Sequence, residues 1–416
     1  MPDEAEPLRA RSRGGLLWLL AGLLAGLALT AALTVGVTQT RYGRERVLAV
    51  TLGALGDRMN GELRVQRLEG NLLAGARLYG VALRMADGSP FILADSAFVA
   101  YDLRTLLSDE VVLRRLALFD AEILVRRLPG DSLWNYQRLF RDTTKPPGPP
   151  SQRAVIIRQA RLHDTRVLVR MPWEPDDTLS PAQRDSAVRD ALSDTSRILV
   201  QRASGGFLRS MRFHLPEASI ARLFYASEVR GGTYARVERL RGRAWVYREP
   251  IEIRALSGEL ALRERRFEFR APTVVLPASR LAVRGVVYPG DTLRYDLRVD
   301  GERVALADMQ WLYPLFPDSG GGSLALTLES RPDGGALVWA RQMRMTLPGT
   351  RLRGSFGLLT GDTLRFFDVA LAAEPVRVET IEQMLPFALP VRGLRLGSVE
   401  VRGRNVPPAS PRRSIS

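Results

Sequence analysis

The feature that most constrains this chain is a period of two. From Arg197 onward apolar residues recur at alternate positions: Ile251 and Ile253, Leu260 and Leu262, Phe267 and Phe269, Leu281 and Val283, then Leu293, Tyr295, Leu297 and Val299. Arg, Glu and Asp fill many of the positions between them. Alternation at that period sends one set of side chains to one face of a β-sheet and the other set to the opposite face. The same pattern runs through Leu63-Arg64-Val65, Leu78 to Leu83, Val111 to Leu113 and Ile123-Leu124-Val125, punctuated by Gly70, Gly75, Gly80 and the Asp87-Gly88 turn. These segments read as short strands joined by tight turns. After residue 60 few helix-period stretches are long enough to cover a sheet. The predicted fold class is therefore mainly β: an extended, curved, repetitive sheet with a taco-like groove and a few short helices, apolar on one face and wet on the other.

An internal repeat supports growth of such a sheet by units. Gly290-Asp291-Thr292-Leu293-Arg294-Tyr295 returns as Gly361-Asp362-Thr363-Leu364-Arg365-Phe366, seventy-one residues later. Arg280-Leu281 answers Arg351-Leu352 at that offset, and Val304, Leu306, Met309 and Pro314 answer Val376, Val378, Ile381 and Pro386 at seventy-two. Each copy, 279–328 and 350–402, reads as strand, Gly-Asp turn, strand, a short helical turn closed by proline, and a bend into a Leu-rich strand such as Leu324-Ala325-Leu326.

The N-terminus is different. Residues 14–40 are twenty-seven positions without an ionisable side chain, between Arg13 and Arg41, dominated by leucine and alanine: Leu16, Leu17, Trp18, Leu19, Leu20, Leu23, Leu24, Leu27, Leu29 and Leu33. At ~1.5 Å per residue a helix over this run is about 40 Å long, more than the ~30 Å hydrocarbon core and longer than a secretory h-region. It is predicted to be a transmembrane anchor; cleavage near Thr34, Val35 and Gly36 is the alternative. Arginines flank it evenly, so the short tail, 1–13, is expected to stay in the cytoplasm while the long C-terminal part is exported. Leu48, Leu52, Leu55 and Met59 continue as one face of a helix that Gly61 ends. The module 41–140 is followed by a Pro-rich linker, 141–152, and then by the repetitive domain, 153–406, and a polar tail, 407–416. Within that domain 172–197 is a surface insertion, where Ser180, Pro181 and Gln183 make a capping box for a helix through about Leu192.

The 416 residues carry a formal charge of +15, and every one of the 60 Lys and Arg residues but Lys145 is arginine. Arginines spread along the chain point to genome composition rather than to a nucleic-acid site. The densest stretch, Arg236 to Arg248, places Arg239, Arg241, Arg243, Trp245 and Tyr247 on one face of a strand, and in an exported domain this reads as an anionic-surface or solvated face rather than a nucleic-acid interface. Cysteine is absent and His163 and His214 are the only histidines. Neither sits in a nucleophile elbow, no metalloprotease or phosphate-loop motif occurs, Gly320-Gly321-Gly322 reads as a flexible turn, and Asp176-Asp177 and Asp109-Glu110 read as solvated loop charge. No catalytic residue, metal or cofactor is assigned, and the chain is not expected to be an enzyme. What remains is the apolar face. Acyl chains need a dry, non-specific trough, which alternating Leu, Val, Ile and Phe supply. The candidate lining is Ile251, Ile253, Leu260, Leu262, Phe267, Phe269, Leu281, Val283, Leu293, Tyr295, Leu297, Leu364 and Phe366. The alternative is a closed sandwich with the same residues in its core.

Several segments also resemble the AsmA/TamB family of bacterial envelope proteins, relatives of the chorein-type bridge-like lipid-transfer proteins. They are Gly61-x-Leu63-x-Val65-x-x-Leu68-x-Gly70, Leu78-x-Gly80-Val81-x-Leu83 with Asp87-Gly88, Val99-x-Tyr101-Asp102 with Leu106-Leu107, and Trp134-Asn135, in that order behind one apolar N-terminal run. The resemblance covers residues 14–140, and 200–403 in style. It implies an inner-membrane anchor holding a β-taco in the periplasm, whose groove moves phospholipid toward the outer membrane. In the TamB branch it implies instead a scaffold for assembly of outer-membrane or secreted proteins, working with a barrel partner by strand augmentation. The C-terminal domain of TamB proteins is not recognisable. Roughly twenty strands at ~4.8 Å would reach on the order of 100 Å, which implies a short or truncated member or a piece that works with a partner.

Overall fold

The computed structural model describes residues 60–403 except 72–74, 102–104, 106–109, 132, 140–153, 176–178, 194–198, 227–231, 246–249, 264–265, 289–293, 312–314, 332–334, 361–364 and 385–394. The apolar run 14–40, the helix expected to Met59, the Pro-rich segment 141–152 and the tail 407–416 lie outside the described residues. Among those described, no helix is long and apolar enough to cross a membrane.

The molecule is mainly β, with one large, almost wholly antiparallel sheet of eighteen strands and few helices. Strands β1 (Gly61–Asn71), β2 (Gly75–Met85), β3 (Pro90–Tyr101) and β4 (Glu110–Arg126) form a meander. The alternation in Val111–Leu113 and Ile123–Val125 belongs to one seventeen-residue strand, β4, not to two short ones: no glycine or proline interrupts it. A short helix, α1 (Asn135–Leu139), follows. The chain then re-enters parallel to β4 as β5 (Ala154–Ile157) and β6 (Ala160–Trp173), which share one rung. Helix α2 (Pro181–Ser193) starts at the expected capping box, in which Gln183 N–H donates to Ser180 Oγ and Ser180 N–H donates to Gln183 Oε1. The meander resumes with β7 (Leu199–Ala203), β8 (Gly206–Ala226), β9 (Thr233–Trp245), β10 (Ile251–Arg263), β11 (Arg266–Val275), β12 (Arg280–Tyr288) and β13 (Arg294–Ala305). It continues through β14 (Gly321–Ser330), β15 (Ala336–Leu347), β16 (Thr350–Thr360) and β17 (Arg365–Ala373). After the small β18 (Val376–Arg377), helix α3 (Val378–Gln383) and β19 (Arg395–Leu396), the last strand β20 (Val399–Gly403) pairs with β17.

Gly320 does make a turn, at φ +101°, but Gly321 and Gly322 belong to β14. A Cβ at either would strike a neighbouring strand's carbonyl, Val304 O or Arg344 O, so these glycines permit close strand approach rather than flexibility.

The strands are not regular. In β2, β4 and β6 the register places Gly80 (φ +59°), Asp120 (φ +47°) and Asp164 (φ +47°) in one transverse row. Apolar residues on either side of that row, Val81 with Leu78, Ala94 with Ala97 and Ala121 with Leu118, are three apart and still pack in one cluster. A regular strand sends i and i+3 to opposite faces, so in β2 and β4 the left-handed residue restores the face across the row, while β3 has no such residue between Ala94 and Ala97. In β10 to β17 bulges recur near Gly258, between Ala271 and Val274, Gly301 and Val304, Ala340 and Met343, and Ser355 and Gly357. Each bulge bends its strand and increases its twist.

The repeat has matching buried positions. Leu276, Ser279, Val304 and Leu306 are at most 5% exposed, and Leu347, Thr350, Val376 and Val378 are at most 9% exposed at the same offsets. Ser279 Oγ accepts from Ala305 N–H at 2.9 Å, and Thr350 Oγ1 accepts from Arg377 N–H at 2.8 Å. The helical turn beyond is tied down in both copies: Asp308 accepts from Ala278 N–H, and Thr380 donates to Pro348 O. The turn Ala307–Met309 and α3 thereby hold Leu306, Ile381 and Met384 near Met343, Met345 and Leu347, covering the apolar face at one rim.

Candidate functional site

Directly opposed residues share a face, so the register traces the apolar side rung by rung. One file crosses thirteen rungs: Tyr101, Leu113, Ile157, Leu223, Ala235, Leu260, Phe269, Gly285, Leu297, Leu328, Val338, Leu358 and Phe366. At ~4.8 Å per rung it is about 58 Å long. Twelve of its members are apolar or aromatic and the other is glycine. A second file, Leu63, Leu83, Ile92, Ile123, Val167, Phe213, Ala244 and Ile251, runs along the same face nearer the other ends of the strands.

Of the thirteen residues expected to line a groove, eleven fall on this one face. Ile251 and Ile253 sit opposite Ala244 and Gly242, Leu260 and Leu262 opposite Phe269 and Phe267, Leu281 and Val283 opposite Gly301 and Val299, and Tyr295 and Leu297 opposite Val287 and Gly285. Phe366 lies opposite Leu358. Leu293 and Leu364 lie outside the described residues. The face is neither dry nor bare: most of these side chains are half-buried, while Leu260 is 42% and Phe366 53% exposed. Among the described residues the largest side chains under 2% exposed are Leu139, Thr165, Thr350 and Ser279, of which one is apolar.

The opposite face carries rows of arginine, interrupted in β15 to β17 by an apolar patch of Leu337, Trp339 and Phe367. Arg270, Arg284 and Arg298 stand directly opposite one another across β11, β12 and β13, all exposed. Arg239, Arg241 and Arg243 face Ser219, Glu217 and His214, and Arg212 stacks on Trp245 at 6.0 Å; Tyr247 lies outside the described residues. Both histidines are on this face: His163 stacks on Phe119 at 4.8 Å, and His214 Nε2 bonds to Asp164, whose carboxyl that contact holds below its usual range. No group of three or more His, Asp or Glu that could hold a metal is present among the described residues.

Two further features were invisible in the sequence. Asn135, 5% exposed, donates through Nδ2 to Leu124 O at 2.6 Å and accepts at Oδ1 from Arg126 N–H at 2.9 Å, so one side chain replaces the missing strand partner at the end of β4. Its neighbour Tyr136 is pushed above the ordinary phenol range by burial and by Tyr225. Tyr225 pairs with Val155, which lies beside Val111 at the opposite end of β4.

Comparison with family models, with curated proteins and with solved structures returns no match for this chain.

Proposed function

We propose that this protein is a membrane-anchored lipid carrier of the AsmA/TamB kind, in which the sheet curls along its line of kinks and bulges into a trough with the apolar face inward. The apolar run 14–40 holds it in the inner membrane, the trough stands in the periplasm, and acyl chains of phospholipid lie along the trough on their way to the outer membrane. The chain itself performs no covalent chemistry. The observation that carries this reading is the thirteen-rung apolar file, continuous in register, half-exposed and free of ionisable groups other than one phenol.

The test is native mass spectrometry and lipid photo-crosslinking of the detergent-purified full chain. Wild type is expected to carry phospholipid, and Phe269→Glu, which puts a carboxylate in the middle of the file, to lose most of it while keeping its fold. Unchanged crosslinking in that variant refutes the reading. A second reading has one observation behind it: β20 is a short strand that pairs with β17 alone among the described strands, with Val401 50% exposed, and so offers an edge for strand addition by a client or barrel partner. Lipid-free protein that captures unfolded barrel strands would favour it.

A further inference from the structure

Strands β4, β6 and β8 overhang their neighbours at one end, beyond Ile123 opposite Ile92 and before Arg212 opposite Trp245, and β7 flanks the overhang. The flap so formed comprises 124–127, 167–173, 199–203 and 206–213; it contains six arginines and no acidic residue. Its chemistry is ordered along the apolar face. Moving outward, the row Ile123, Val167 and Phe213 is followed by Val125, Val169 and Met211, all aliphatic or aromatic. The next row is Arg127, Met171 and Arg209, where Arg127 N–H bonds to Arg170 O at 3.0 Å. The last is Trp173, Phe207 and Arg202. Each step is about 6.6–6.8 Å, two residues of strand.

We infer that this flap is a headgroup clamp that selects phosphate-bearing lipids, with Arg127 and Arg209 closing on the phosphate while the acyl chains lie on the aliphatic rows behind it. The inference rests on the proposed lipid-carrying function and specifies which lipids enter. The order of the rows, apolar, then cationic, then aromatic with a further arginine, matches a phospholipid laid tail-inward, and the aromatic row has the amphipathic character of residues at a membrane interface. Arg127 and Arg209 are two rungs apart, ~9.6 Å, so their side chains can converge over Met171 on one anion. Arg127 is held in place by Trp134, whose ring centre lies 5.5 Å from Cζ, and its Nε is buried without a hydrogen-bond partner. A phosphate oxygen satisfies that N–H in the geometry guanidinium prefers.

The experiment presents detergent-purified full chain with equal amounts of dioleoyl phosphatidate and dioleoylglycerol, which share their acyl chains and differ in the phosphate, and reads the retained lipid by native mass spectrometry. Wild type should retain phosphatidate over the diacylglycerol by about tenfold. The double variant Arg127→Gln/Arg209→Gln should lose the preference while keeping total lipid occupancy, and Arg298→Gln, on the charged face, should keep both. Arg127→Lys/Arg209→Lys, which holds charge without the fork, guards against misfolding of the Gln variant and should retain part of the preference. Equal retention of both lipids by wild type, or a preference untouched by the Gln variant, overturns the clamp and leaves the carrier reading standing. Loss of the preference on adding inorganic phosphate means the arginines take free anion, and also overturns it. Retention of neither lipid overturns both.

Discussion

The twin hydroxyls offer the sharpest test of the fold. Replacing Thr350 with valine removes one hydroxyl and almost no volume, so no cavity term enters; what is lost is the bond from Arg377 N–H, with the donor left beside a side chain that is 2% exposed. Leaving a buried donor unpaired costs about 1–3 kcal/mol. Taking the middle, about 2 kcal/mol, and ~1.4 kcal/mol per decade, the opening equilibrium of that amide rises about thirtyfold. Ser279→Ala should do the same to Ala305 N–H, because Ser279 is 0% exposed and bonds at nearly the same distance. Native-state hydrogen exchange, read by mass spectrometry on peptides covering Ala305 and Arg377, localises each effect, which a global melt of a quasi-repetitive sheet would blur. Thr360→Val is the control. Thr360 Oγ1 also accepts from a backbone amide, Ala336 N–H at 2.9 Å, but at a half-buried strand end where water can replace it, so the change should stay within about threefold. Exchange at Arg377 unaltered in Thr350→Val would refute the reasoning, and a strong effect in only one copy would show that the two units are not held by the same device.

Three more outcomes are expected. Asn135→Ala strips two backbone groups at the end of β4 of their partner and should cost about 2–3 kcal/mol, seen as faster exchange at Arg126 and earlier proteolysis around α1. Gly357→Ala drives a methyl into the Phe367 ring, which is 3% exposed and packed edge-on against Trp339 at 4.8 Å; a loss of about 1–3 kcal/mol and a shift in tryptophan fluorescence should follow. Tyr101, Tyr136 and Tyr225 are all raised above 10.0 by burial, so the folded state binds protons that the unfolded state releases: stability is full below pH 10 and falls as pH rises past it. Tyr225→Phe should move the titration of Tyr136 down by the smaller part of its shift, burial keeping the rest, followed by tyrosinate absorbance; no movement would mean that Tyr225 does not act on it.

How much of this was legible from residues alone depended on whether the pattern was local. The alternation in 281–299 gave the strand faces directly, and Ser180 with Gln183 gave the start of α2, because both signals lie within a few residues of the feature they specify; Ile253 and Leu260, seven apart in β10, share a face only through the bulge between Ile253 and Leu256. The far half of the file, Leu328, Val338 and Leu358, was missed because the bulge at Arg341-Gln342 puts β15 out of phase: Val338 and Ala340 share a face with Met343, not with Gln342. Three-residue steps such as Leu78 to Val81 look like broken alternation until Gly80 is seen to be left-handed. The repeat extended further upstream than its Gly-Asp core suggests: Leu276-Pro277-Ala278-Ser279 matches Leu347-Pro348-Gly349-Thr350, a signature that only the burial of both hydroxyls makes conspicuous. The role of Asn135 had no local signal at all, since its partners are strand ends that the chain reaches from nine and eleven residues away.

The repeat also gives the sheet a handed construction rule. From β12 to β16 the chain advances by four rungs, about 19 Å, before the same buried positions return. Four is even, and in an antiparallel meander an even step restores strand direction. The helical turn of every unit therefore lands on the same rim, as Ala307–Met309 and α3 both do. A protein lengthened by whole units would stay open along one side only, with a row of lids opposite, and only the addition of an odd number of strands would turn the next lid over to the other side.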